Sequence, residues 1–267
     1  MSNTHQSAEH ARHESAPSTE RFGRRIERDD DADFPFYNGK PTTITVGQWI
    51  AVWVSVAVGF VALTQIPTPN NIVGLFPRIL FVVIPLTVLA LVTRDHWTAL
   101  FRRVTGRDVL LMFGFAALNL VVTGALGLIV KALFGSSANQ ATDNMGGALD
   151  IAAFYLGTGI QLLGEEIFTM LPFLALLYFL YAKAKVSRKT AIVLAWLISA
   201  VWFGAAHLPT YDWNFAQALI VIGGARLVLT LAYIRTKNLW VSTGAHIIND
   251  WAMFTGSIVG GAALIAL

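Results

Sequence analysis

The chain has 267 residues, of which 55% are hydrophobic and 13% charged, and its mean hydropathy is +0.59; a soluble domain is ordinarily about a quarter charged, so this is an integral membrane protein. The net charge of +3 and a pI near 9.3 do not indicate a nucleic-acid partner, because Lys and Arg fall in short clusters between apolar runs. With no Cys there is neither a disulfide framework nor thiolate chemistry.

The N-terminal stretch 1–33 mixes acids and arginines with few aliphatic residues, a composition that cannot bury enough apolar surface to order itself. It is expected to be a disordered cytoplasmic leader, and the irregularly spaced His5, His10 and His13 do not form a metal motif. The following FPFYNGKP, residues 34–41, sets aromatics and a Lys before the first apolar run and reads as an interfacial anchor, completing a leader over 1–43.

Seven apolar runs follow, near 46–66, 75–93, 109–134, 149–182, 190–208, 215–234 and 239–267, each long enough to cross a bilayer as a helix. The fold class is all-α, a polytopic transmembrane helical bundle of about seven spans. Connectors 94–108, 183–189 and 235–238 are rich in Lys and Arg, whereas 67–74, 135–148 and 209–214 contain none. The positive-inside rule then makes this a multi-pass cell-membrane protein with a cytoplasmic amino terminus and an external carboxyl terminus. One difficulty is depth, since on ideal helices His207 lies about 25 Å and His246 about 12 Å from the cytoplasmic end of its span.

The fourth run is longer than a bilayer requires, and Pro172 is expected to kink it. Within it Thr158, Gln161 and Glu165 recur at helical spacing and share a polar stripe. Glu166 is rotated by about 100° from Glu165, so the two acids are expected to do different work. Either could instead make structural bonds within the bundle, but a carboxylate at bilayer depth costs about 2.5–3.5 kcal/mol and usually marks function.

The fifth run ends in WFGAAHLP, with Phe203 and His207 one turn apart, and the seventh begins STGAHIIND, with His246 and Asp250 one turn apart and Asn249 beside them. Two imidazoles and a carboxylate can bind zinc with an open position, or hold a water for a Glu to deprotonate. No HExxH, GxGD or GxSG is present. Ser242 reads as helix-start polarity.

Together E165-E166-I-F-T-M170, F203-G-A-A-H207 and H246-I-I-N-D250 resemble the CAAX protease and bacteriocin-processing (CPBP, or Abi) family of intramembrane proteases. The resemblance covers roughly 149–260. It implies a four-helix catalytic core within 149–267, with 44–148 as three accessory helices. It further implies an endopeptidase in which Glu165 is general base and His207 its water-holding partner. His246 and Asp250 would be oxyanion-stabilising groups or, with Glu165 and His207, metal ligands, zinc being the candidate ion. Expected partners are membrane lipid and a peptide or membrane-protein substrate. The family's first motif ends in Arg where this chain has Met170, which keeps open an inactive relative serving as a membrane scaffold or bacteriocin-immunity factor. Arg226, mid-helix in the sixth run beside Gly223 and Gly224, is expected to supply that charge by pairing with Glu166.

Overall fold

Each apolar run becomes a helix whose ends are set by its polar neighbours. The structure, a computed structural model, describes residues 20–23, 25–28, 30, 32–137 and 147–265. Among these the helices are α1 (Val46–Gln65), α2 (Asn71–Thr93), α3 (Gly106–Phe134), α4 (Ala148–Tyr178), α5 (Arg188–Ala206), α6 (Gly223–Thr236) and α7 (Leu239–Ile265), with no strand. Thr45 and Gln48 close a reciprocal capping box at α1, and Thr105 and Asp108 do so at α3, satisfying amides that the first turn leaves open. Asn70 caps α2 by accepting from the Val73 amide at 2.9 Å. Past Pro172 the α4 ladder runs on to Tyr178, and its first departure from α geometry is a π turn over Phe179–Lys183. A second π segment, Gln217–Ile222, leads into α6.

Among the described residues six helices are long and apolar enough to span a membrane by length and composition, namely α1 to α6, three of them with flanking π or 3-10 turns. The seventh run forms α7 over the expected range, with Ser242, Thr243, His246, Asn249 and Asp250 in its first turns. α4 is the buried centre. In its most apolar window 78% of residues are enclosed, against 28%, 22% and 17% in α1, α2 and α3, whose outer faces are left for lipid. α1, α2, α5 and α7 pack on α4, while α3 lies against α6 and α7. Gly204 lets α5 approach the 217–222 segment closely, since a Cβ there would meet the Ala218 carbonyl oxygen at 2.6 Å. Gly224 likewise faces Leu126 of α3, where a Cβ would lie 2.5 Å from Cδ1.

The basic connectors meet at one end of the bundle. Asn238 exchanges hydrogen bonds with the Arg102 backbone at 3.1 and 3.2 Å, joining the turn between α6 and α7 to the connector before α3. Residues 1–19, 24, 29 and 31, the larger part of the expected disordered leader, lie outside the described residues. The expectation does not hold for the described residues from Glu20 onward. Glu27, 2% exposed, bridges Arg188 (2.9 and 3.0 Å) and Lys237 (2.9 Å), and Arg188 also reaches Asp33 at 2.6 Å. Burial alone would raise the Glu27 pKa, but its bond to Arg188 and the Lys237 charge overcome this and hold it at about 2. Lys237 is pushed down to about 8 by burial, which Glu27 only partly offsets. Composition missed this order because the stabilising partners are ionic and come from far along the chain. Phe34, Phe36 and Tyr37 of the anchor are buried in the same core as Trp49 and Phe173.

Lys237, Asn238 and Leu239 are 1%, 2% and 0% exposed, so α7 starts inside the protein, covered by the N-terminal segment.

Candidate active site

Along α4 the polar stripe is bonded at every step. Thr158 accepts from Trp251 Nε1 of α7 at 3.1 Å, Gln161 Nε2 donates to Glu165 Oε1 at 2.9 Å, and Arg78 Nε of α2 donates to Gln161 Oε1 at 3.3 Å. Thr158 therefore ties helices together, while Gln161 orients Glu165.

The two acids separate as their rotation requires. Glu166 is 0% exposed and receives both arms of the Arg226 guanidinium, Nη1 to Oε1 at 2.6 Å and Nη2 to Oε2 at 3.0 Å. The expected cross-helix pair is thus present, and Met170, fully buried in the core, contributes no charge. Such a bidentate fork is a strong form of carboxylate recognition. Arg226 is held by Thr230 Oγ1 at 3.2 Å and lies 5.1 Å from the Phe203 ring centroid. Glu165, by contrast, keeps 12% of its side chain accessible.

His246 Nδ1 lies 2.9 Å from Glu166 Oε1. The carboxylate can only accept, so Nδ1 carries the proton and Nε2 is turned toward Glu165 Oε2 at 3.9 Å and Asp250 Oδ2 at 3.7 Å. Asn249 donates to Asp250 Oδ1 at 2.8 Å. His207 caps the end of α5, and its Nδ1 lies 2.8 Å from the Phe203 carbonyl oxygen. That oxygen also can only accept, which leaves the His207 Nε2 lone pair free. Phe203 stands between the imidazoles, with ring centroids 4.5 Å from His207 and 6.4 Å from His246. Ser242 donates to the Leu239 carbonyl of its own helix at 3.1 Å.

Two cavities meet at these groups. One of about 270 Å³ lies among α3, α4, α6 and α7 and is lined by Glu165, His207, His246, Asn249 and Asp250. The other, of about 500 Å³, lies among α1, α2, α4 and α5. They share a wall of Arg78, Gln161, Glu165, Phe203, His207 and Thr210. Every residue nominated from the sequence lines one of these spaces or bonds directly to a residue that does.

The polar lining residues that the sequence did not single out include Arg78, Asn119 and Thr123. Arg78 is a lone cation in an apolar run, the same signal that singled out Arg226. Asn119 and Thr123, one turn apart on α3, line the smaller cavity with side-chain polar atoms that are buried and unpaired, as is Asn249 Oδ1. Nothing in the α3 sequence says which neighbour such polar groups face.

The candidate metal set does not assemble. Among the described residues no group of three or more His, Asp or Glu side chains is gathered so as to hold an ion. Glu165, His207 and His246 face a common space without converging as a ligand set, and Nδ1 of His246 is committed to Glu166.

Residues 147–252 match the family model described as type II CAAX prenyl endopeptidase Rce1-like. The match supports the resemblance carried by the three motifs and spans α4 to the middle of α7. No curated protein and no solved structure matches the chain.

Proposed function

We propose that this multi-pass membrane protein, Rce1-like over its α4–α7 segment, is a CAAX-type intramembrane endopeptidase that hydrolyses a peptide bond with glutamate-activated water. The observation that carries the reading is the division of labour between adjacent acids. Glu166 is neutralised by the Arg226 guanidinium and serves as a fixed electrostatic anchor, whereas Glu165 carries no guanidinium, has His246 Nε2 no nearer than 3.9 Å and faces the cavity. A water between Glu165 and the free Nε2 of His207 donates one O–H to each and presents its oxygen lone pair to a substrate carbonyl. As that oxygen attacks the carbonyl carbon, Glu165 takes the proton and the C=O pair becomes an oxyanion. His246, anchored through Nδ1, donates from a protonated Nε2 to that oxyanion, and Asp250 balances its charge. Collapse breaks the C–N bond, and the proton held by Glu165 passes to the leaving amine.

The rival reading, an inactive scaffold or immunity factor, rested on Met170. Arg226 delivers from α6 the cation missing at that position, so Met170 no longer argues for inactivity. Membrane lipid and a peptide or membrane-protein substrate are the proposed partners. The clustering of basic connectors with the N-terminal segment supports a cytoplasmic amino terminus and an external carboxyl terminus.

The test compares protein termini in cells carrying wild type, Glu165→Gln, His207→Ala or His246→Ala. All three substitutions should accumulate the same uncleaved membrane-associated precursors to a similar degree, because groups acting as a unit lose function non-additively. Termini unchanged in every variant would favour the scaffold.

A further inference from the structure

Arg78 lies on α2, outside the segment that matches the family model, and the mechanism above does not use its charge. A cation within a membrane-spanning helix is expensive unless it is paired. Arg226 shows what pairing looks like in this protein, with both arms on a carboxylate. Arg78 differs. Among the described residues its one hydrogen bond runs from Nε to a neutral amide oxygen, Gln161 Oε1, at 3.3 Å, while Nη1 is enclosed and has no partner there. Among the described residues no carboxylate forms an ion pair with it.

The guanidinium is nonetheless housed rather than stray. It lies in the wall common to both cavities, and a Cβ added to Gly157 would collide with Nη1, so the glycine leaves that arm its space. A Cβ at Gly74 would lie 3.7 Å from the same atom. Because Gln161 also bonds Glu165 at 2.9 Å, the unpaired charge is one side chain away from the proposed base. The fork of a guanidinium matches a carboxylate, which can take two parallel N–H bonds.

We propose that Arg78 is the receptor for a carboxylate of the bound peptide, an acidic group at the C-terminus or on an Asp or Glu side chain close to the scissile bond. Arg78 is then a substrate-binding, specificity-determining residue, and the anionic partner its position requires arrives with the ligand. The peptide nature of the ligand rests on the peptidase reading, but binding of the carboxylate can be measured without turnover.

The experiment uses the full chain carrying Glu165→Gln, purified in nanodiscs so that nothing is hydrolysed. Three probes are compared by calorimetry: acetyl-Ala-Leu-Leu as free acid, the same tripeptide as its amide, and acetyl-Ala-Glu-Leu amide. At least one carboxylate-bearing probe should bind tenfold or more tighter than the neutral amide, and which one identifies the source of the carboxylate. Adding Arg78→Gln should erase that preference, and Arg78→Lys should retain part of it. Gly157→Ala keeps the charge but displaces the arm, and should weaken acid binding more than amide binding. Thermal unfolding separates ligand binding from scaffolding: removing an unpaired cation should leave the midpoint unchanged or raised. Equal binding of all three probes, no binding of any, a preference that survives Arg78→Gln, or a fall in its midpoint would each overturn the proposal. Intact acid preference in a wild-type protein that cleaves nothing would instead sink the peptidase reading and leave Arg78 as assigned.

Discussion

Glu165 and Glu166 are neighbours in sequence and opposites in environment, because one residue of helix rotates the side chain by about 100°. That rotation was legible in the string GEEIF, and so was the need of Arg226 for an acid. What the string could not give was the second bond on Glu166, from His246, which couples the anchor to an imidazole eighty residues away. Arg226→Met should therefore do double damage. It leaves Glu166 a buried, uncompensated charge, at a cost of about 3–5 kcal/mol, and it frees Glu166 to shift relative to His246. Thermal unfolding of the purified variant should show a large drop in midpoint. Met170→Arg, one turn beyond Glu166, should restore part of it by returning a cation to the same helix face. Glu165→Gln, whose acid holds no guanidinium that its loss would strand, should unfold close to the wild-type midpoint while losing activity.

Helix boundaries were readable to within a few residues, because the length of an apolar run is imposed by bilayer thickness and its ends by capping residues. Arrangement between helices was less readable. The sequence marks α7 as polar at its start, yet only packing shows that α7 begins beneath the surface, with Leu239 at 0% exposure. The orphaned Asn119 and Thr123 are invisible for the same reason: their meaning depends on facing a cavity across from α4. Close approach is a further property of pairs of helices. Gly204 lies between Phe203 and His207, and a side chain there would press on the Ala218 carbonyl. Gly204→Val should cost about 1–3 kcal/mol by overpacking. It should also lower activity beyond the stability loss, since separating α5 from the 217–222 segment moves His207 off its station. The check is activity measured well below the unfolding midpoint.

The whole molecule is polarised, with the ion pairs of Glu27 and the basic connectors gathered at one end and the cavities reached by His207 and Thr210 toward the other. Because the chain has no Cys, single cysteines at 70, 137, 185 and 237 can report topology without a background. Residues 185 and 237 should be reachable only from the cytoplasm, 237 only after partial denaturation, and 70 and 137 only from outside. The N-terminal segment should respond to acid. Glu27 has a folded pKa of about 2 against an ordinary 4.5, so its stabilisation is complete above pH 4.5 and lost as pH falls through about 2. Proteolysis within residues 20–33 should rise across that window in wild type, and Glu27→Gln should show the rise already at neutral pH.

The same ionic knot carries a consequence for biosynthesis. Glu27 is held by Arg188 and Lys237, 161 and 210 residues further along the chain. During translation this early segment is therefore among the last to settle, waiting until six helices have been threaded and the turn before α7 has cleared the ribosome. Its docking closes a very long loop and reports that every earlier insertion has kept its register. Arrested nascent chains ending before residue 237 should leave residues 20–33 open to protease, and those extended through α7 should protect them, which makes this contact a record of completed assembly.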